Sequence, residues 1–438
     1  MTERPWTARS LQHQLATGTV TPTQLAREAL GRANSNAGVN TYLWRDEAWT
    51  LKEAARAEAI ESASRSALWG LPVSVKDCFD LAGAPTTCGV KFYRDLNGIA
   101  ARDSWLVARL RALGTVITGK THLHPLAYGI TGENPEFGDC VQPGAPDRLT
   151  GGSSSGAAAS VLERSAVAAI GTDTGGSVRA PAALCGLAGY RASLGRGDWT
   201  GAGHLAQSFD TLGWLFRDLE DAPLLGAVFA PDNAPPPELF ERFATIDVGF
   251  LHDCEPEIAA AMEECAAELV ALGLQRETFD PNFWTGAFEI FAPIQAWEAA
   301  RIHAGHFDAF QPAIRERLEW GAHITDSELA LLRERHAEFR AQMDALFSEH
   351  QLLMMPATPV AMLRAGGDHG KTRARLLRYT TAFSLAGVPV VTVPCSAGGM
   401  QLAAGFEQDE SLLELARTLG VRRKLTTSPS AGRAFDAH

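Results

Sequence analysis

The stretch that most constrains this chain runs from Ala166 to Leu184, AVAAIGTDTGGSVRAPAAL. Its first six residues are small or apolar and end on a glycine, which reads as a short buried strand. Its last residues are rich in alanine and read as helix. Between them lies a loop in which Gly175 and Gly176 precede Ser177. A strand that feeds a helix through such a loop is the building unit of an α/β protein. Without Cβ atoms, the two glycines let successive backbone N–H groups turn towards one point. That geometry suits the oxyanion of a tetrahedral intermediate, or a phosphate. Ser177 is therefore either a spectator or the reactive atom.

The same alternation recurs along the chain. TPTQLAREAL predicts a helix with Thr21 as N-cap, Pro22 in the first turn and Gln24 closing a capping box. A second helical pattern covers roughly 46–63. LPVSVKD alternates, with Leu71, Val73 and Val75 on one face and Ser74 and Lys76 on the other. SWLVARLRALG reads as a helix closed by Gly114, TVITG as a short buried strand, and the run after Gly156 as alanine-rich helix. Residues 253–350 are expected to be mostly amphipathic helix, and LLMMP (352–356) and VPVVTVP (388–394) to be strands. The fold class is thus α/β, with a mixed or largely parallel sheet covered by helices. One domain over 1–438 is expected, with N-terminal helices at 1–65, a core at 66–220, the helical segment at 253–350 and C-terminal strands and helix at 351–420. From about Thr426 the chain carries little to bury and is expected to fray.

Composition narrows the partners. The 438 residues carry a formal charge of −12, which disfavours nucleic acid and anionic membranes, since both attract clustered Lys and Arg. No run of about 18 apolar residues occurs, and MTERPWTARS has no signal-peptide pattern. Seven scattered cysteines without a C-x-x-C pair fit reduced thiols, so a cytoplasmic location is expected.

Three literal motif matches fail on physics. GTVITGKT (114–121) fits the Walker A pattern, but its variable positions favour extended strand and a helix precedes its first glycine. THLHP offers His122 and His124 after a strand, without companion ligands that would complete a metal site. GSSSG (152–156) fits a nucleophile elbow with Ser154 as nucleophile, yet the QPGAPDRLTG before it is loop where a buried strand is required.

One constellation makes chemical sense: Lys76 at a strand end, the serine cluster after Gly152, and Ser177. A serine attacks an amide only if a base removes its proton, and a buried, neutral lysine can serve. Each unit by which burial depresses a lysine pKa costs about 1.4 kcal/mol. The adjacent Asp77 would oppose neutrality, but neighbours on a strand point to opposite faces.

GLPVSVKD, GGSSSGAAAS and GTDTGGSVRAPA, in this order, resemble the lysine strand, Gly-Ser block and nucleophile loop of the amidase signature hydrolases. The resemblance implies an α/β/α sandwich around a large mixed sheet and a cofactor-free Ser–cis-Ser–Lys triad. It makes Ser177 the nucleophile, Ser153 the serine after a cis bond flanked by Gly152, and Lys76 the base. The N–H groups of Thr174, Gly175, Gly176 and Ser177 would form the oxyanion hole. Ser154, Asp173 and Arg179 would support the loop, and Ala127, Tyr128, Gly129 and Ser153 would line the substrate site. ITGENPEFGD and AQSFDTLGWLFRD look most like plant-type indole-3-acetamide hydrolases and their bacterial relatives. The resemblance implies a small aromatic or aliphatic amide as substrate, with a carbamate or allophanate-type compound as the alternative. Homodimeric assembly is allowed for, and an amidotransferase component working on glutamine is the rival function. The sequence departs from the family at Gln142, Ser155, Ser384 and the GGMQLAAGF run, which leaves the shape of the pocket open.

Overall fold

Eleven strands share one hydrogen-bonded sheet in the computed structural model, which describes residues 5–427. Numbered along the chain, they are β1 (Tyr42–Trp44), β2 (Pro72–Lys76), β3 (Val116–Thr121), β4 (Ala168–Asp173), β5 (Ala188–Arg191) and β6 (Thr211–Phe216). The remainder are β7 (Arg242–Ile246), β8 (Gln275–Phe279), β9 (Leu352–Pro356), β10 (Val390–Pro394) and β11 (Gly399–Ala404). Their spatial order is β1-β3-β2-β4-β6-β5-β10-β11-β9-β7-β8. The sheet is mixed: β2 is parallel to β3 and β4, whereas β6, β5, β10 and β11 join through antiparallel pairs. A separate three-stranded sheet joins Val141–Gln142, Ala145–Leu149 and Leu363–Arg364.

The helices that matter for the site are α1 (Pro22–Ser35), α2 (Ser155–Leu162), α3 (Arg179–Leu184), α4 (Ala287–Ile302), α5 (Pro312–His323) and α6 (Gly370–Ala386). The capping box of Thr21 and Gln24 is formed on α1. The alanines of α2 allow close packing on the sheet: Ala157, Ala158 and Val161 form one buried cluster with Ala169, Val178 and Leu215. A side chain at Gly156 would collide with backbone atoms of Thr41 and His122, so this position in the first turn of α2 must be glycine.

This packing sets the direction in which β2 points its polar residues. Every residue of β2 is buried, so its alternation separates two interior faces rather than core from solvent. Ser74 turns towards α2, where its Oγ lies 2.8 Å from Ser160 Oγ. Lys76, two residues on, shares that face and arrives at the first turn of α2. Parallel register (Val73 with Ala168, Val75 with Ile170) brings the carboxyl ends of β2 and β4 to one edge, the edge where open α/β sheets place their sites.

Differences from the sequence expectations are local. The second helix spans Glu47–Glu58 and stops short of residue 63. The 253–350 region contains β8, whose sequence QRETF has no apolar alternation because only Phe279 is buried there. Thr426 lies within a last helix, Asp409–Thr427; the rest of the tail expected to fray lies outside the described residues. No helix among the described residues is long and apolar enough to cross a membrane.

Candidate active site

Lys76 lies at the end of β2, fully buried, with three hydroxyls around its amine. Nζ is 2.8 Å from Ser153 Oγ, 2.7 Å from Thr172 Oγ1 and 3.1 Å from Ser154 Oγ. Burial pushes its pKa down to about 8, against the weaker pull of Cys78, Asp173 and Asp210. A neutral amine has two N–H donors and one lone pair. Ser154 Oγ donates to the Thr172 carbonyl at 3.2 Å, so it meets Lys76 as an acceptor. Ser153 Oγ has no hydrogen-bond partner other than Lys76 among the described residues, which suits donation of its proton to the lone pair. Asp77 turns the other way and pairs with Lys120 at 2.7 Å.

The peptide bond between Gly152 and Ser153 is cis. A Cβ on Gly152 would run into the backbone of Gly132, which explains the glycine there. The segment is pinned by Gly152 N–H to the Ile130 carbonyl at 2.8 Å and His124 N–H to the Ser153 carbonyl at 3.1 Å. One residue on, Ser154 N–H donates to the Ser177 carbonyl at 3.2 Å, joining the serine cluster to the loop after β4.

Asp173 organises that loop. Its carboxylate accepts from the N–H groups of Gly176, Val178 and Arg179 at 2.8, 3.0 and 3.2 Å. Arg179 and Arg191 pair with it at 2.9 and 3.0 Å. Burial alone would raise this carboxyl, but the two arginines hold it far below the ordinary range. Thr380 Oγ1 on α6 donates to the Gly175 carbonyl at 2.6 Å. Gly176 has φ of +119°, and a Cβ there would strike Thr380.

This bracing bears on the expected oxyanion donors. Of the four N–H groups expected at the oxyanion hole, that of Gly176 already donates to Asp173. The N–H groups of Thr174, Gly175 and Ser177 have no partner among the described residues, so three free donors remain, not four. Ser177 is 5% exposed and opens into a narrow cavity of about 20 Å³, also lined by Ala127, Tyr128, Gly129, Thr174 and Gly175. Ser153, expected at the substrate site, is fully buried and does not line that cavity. No hydrogen bond joins Ser153 Oγ to Ser177 Oγ among the described residues; the hydroxyl of Ser177 remains uncommitted. Hydrogen bonds of this kind tighten when substrate binds.

The rejected motifs have structural roles. GKT of the Walker match lies inside β3. Both ring nitrogens of His122 are bonded, to Ser155 Oγ at 2.9 Å and the Gly138 carbonyl at 2.8 Å. His124 packs against Gly129. The departures lie off the cavity: Ser384 and Gln401 hold Arg179 at 2.7 and 2.8 Å, and Gln142 binds the Leu149 and Leu184 carbonyls. Sequence reasoning missed Thr172, Arg191, Asp210 (which accepts from Thr174 Oγ1 at 2.6 Å) and the cavity residues Gln295 and Arg373. Thr172 and Asp210 stand inside motif-bearing stretches without a spacing that marks them; the others are brought in by tertiary structure.

The family model for amidases matches residues 24–413. An indoleacetamide hydrolase of Pseudomonas savastanoi is 30% identical, over 92% of this chain and 92% of that protein. A component of the glutamyl-tRNA(Gln) amidotransferase of Syntrophus aciditrophicus (strain SB) is 28% identical, over 94% of this chain and 96% of that one. The crystal structure of an amidase superposes with a TM-score of 0.85 at 30% identity, covering 95% and 99% of the two chains. The chain belongs to the amidase family, and its fold is that of the family. It is a hydrolase of carbon–nitrogen bonds in linear amides.

Proposed function

We propose that the protein cleaves a small amide through an acyl-enzyme on Ser177, with Ser153 as proton relay and Lys76 as base. The observation that carries this reading is the contact of 2.8 Å between Lys76 Nζ, buried and pushed down to about 8, and Ser153 Oγ. Ser177 Oγ attacks the carbonyl carbon and gives its proton to Ser153 as Ser153 gives its own to Lys76. The N–H groups of Thr174, Gly175 and Ser177 stabilise the oxyanion. Lys76 then returns the proton through Ser153 to the leaving nitrogen, and the C–N bond breaks. Water, deprotonated by the same relay, attacks the ester on Ser177 and releases the carboxylic acid. Carbamates share the acyl-transfer chemistry and are the substrate alternative.

The relative from Syntrophus favours a second reading, a polypeptide that takes ammonia from glutamine for a partner. Turnover of a simple amide by the purified polypeptide separates the two: the first requires it and the second excludes it. A cytoplasmic location, a homodimer and a single domain over 1–438 complete the proposal. The continuous sheet and the seven free cysteines support the domain and the location, respectively. Ser177→Ala is the primary test and should abolish acyl-enzyme formation.

A further inference from the structure

Buried arginines elsewhere in this protein are neutralised: Arg179 and Arg191 by Asp173, Arg196 by Asp409 and Glu410. Near the cavity at Ser177 two half-buried arginines have no carboxylate partner among the described residues. Arg373 lines it beside Gly175, Ser177 and Leu377, yet its guanidinium has no hydrogen bond or ion pair among the described residues, and its Nε is wholly shielded from solvent. Arg317 of α5 lies 4.3 Å over the Tyr128 ring and donates to the Tyr128 and Ala313 carbonyls, again with no carboxylate. Gln295 of α4, 7% exposed, lines the same cavity, and its side-chain amide has no partner among the described residues. In a chain with 51 acidic residues, positive charge left uncompensated at one cavity marks a place for an incoming anion.

The electrostatics agree. Burial, then repulsion by Arg373, pushes Arg317 down to about 10. Burial, then Arg317 and Arg373, holds His124 well below its ordinary range, so that imidazole is neutral and adds no charge of its own. Arg373, Leu377 and Thr380 lie on one face of α6, at i, i+4 and i+7. Thr380 holds the Gly175 carbonyl, which puts Arg373 about 10 Å along the helix from the loop of free N–H groups.

We propose that the substrate is a small acidic amide, a monoamide whose far end is a carboxylate, and that Arg373 receives that carboxylate with Gln295 beside it. This rests on Ser177 as the nucleophile. The planar fork of a guanidinium matches a carboxylate in two parallel hydrogen bonds. The narrow cavity and the short span along α6 limit the spacer between the two ends to a few bonds.

The test compares succinamate and glutaramate with neutral pentanamide. The wild type is expected to favour an anionic amide by at least about 30-fold in kcat/KM. Arg373→Met should lower that ratio by a similar factor through KM, and Arg373→Lys should restore part of it. Preference for pentanamide, or a ratio that Arg373→Met leaves in place, overturns the proposal. Calorimetric binding of succinate to Ser177→Ala tests the anion site without turnover. Binding lost in Ser177→Ala/Arg373→Met supports it even if no amide is cleaved, in which case the nucleophile assignment fails instead. Cleavage of amides with no Arg373-dependent succinate binding overturns the anion site alone. Inorganic phosphate competing as well as succinate contradicts a carboxylate.

Discussion

Asp77 Oδ1 stands 2.7 Å from Lys120 Nζ, and this fully buried ion pair is what leaves Lys76 without a carboxylate of its own. Two lysines and one aspartate meet in the interior, and the alternation of β2 assigns the charge to the lysine on β3. Lys120 also donates to Thr86 Oγ1 at 2.7 Å and to the Pro85 carbonyl, so its ammonium is fully used. Removing one partner of a buried pair leaves the other uncompensated, at a cost of about 3–5 kcal/mol. Lys120→Met is therefore expected to lose about that much stability in urea unfolding, although it touches no reacting atom. A loss below about 1 kcal/mol would mean that Asp77 is not held as described.

Lys76 must be neutral to act, and burial sets its pKa near 8. Below that value the neutral fraction falls tenfold per pH unit, so kcat/KM should rise about tenfold between pH 6 and pH 7 and level off above about 8. A flat profile across that range, with chemistry rate-limiting, contradicts the base.

The same burial has a stability sign. A lysine whose folded pKa lies below its unfolded value near 10.4 destabilises the native state at any pH below that value, because the unfolded chain holds the proton more tightly. The penalty is full below pH 8 and fades as pH rises from about 8 to 10.4. Lys76→Met removes it while losing the contacts to Ser153, Ser154 and Thr172. The variant should be inactive yet fold with a Tm within a few degrees of the parent at pH 7. Inactivity accompanied by unfolding would assign Lys76 a structural role.

The three serines should separate by kinetics. Ser177→Ala removes the attacking atom and should abolish turnover. Ser153→Ala removes the relay, worth about 10²–10⁴ in rate. Ser154→Ala removes a brace between Lys76 and the Thr172 backbone and should cost less than either. Greater loss at Ser154 than at Ser177 would favour the GSSSG elbow.

Asp173 carries the loop geometry. Asp173→Asn should remove about 3–5 kcal/mol, because Arg179 and Arg191 would be left buried and uncompensated. With the native carboxyl held far below its unfolded value near 3.9, its stabilisation is complete above about pH 4 and lost as pH falls further. The difference in stability between parent and variant should shrink on acidification below pH 4; a constant difference would contradict the ion pairs.

What the sequence disclosed, and what it hid, follow from how far each signal reaches. The β2 strand, the loop after β4 and the capping box of α1 are local patterns, and residues 71–184 were legible because strand, glycine loop and alanine-rich helix follow one another there. Edge strand β8 was hidden because QRETF buries only its last residue. The commitment of Gly176 N–H to Asp173 was hidden because the loop sequence alone cannot distinguish an N–H that braces from one that is free. Gln295 and Arg373 reach the cavity from two distant helices, and no spacing announces them.

The central claim is that Lys76 arms Ser177 through Ser153, and the most direct test is the rate at which a fluorophosphonate modifies the protein. The label should appear on Ser177, with a rate constant that climbs about tenfold per pH unit up to roughly pH 8 and falls at least about a hundredfold in Lys76→Ala. Label on Ser154, or a rate on Ser177 that ignores both pH and Lys76, would contradict it.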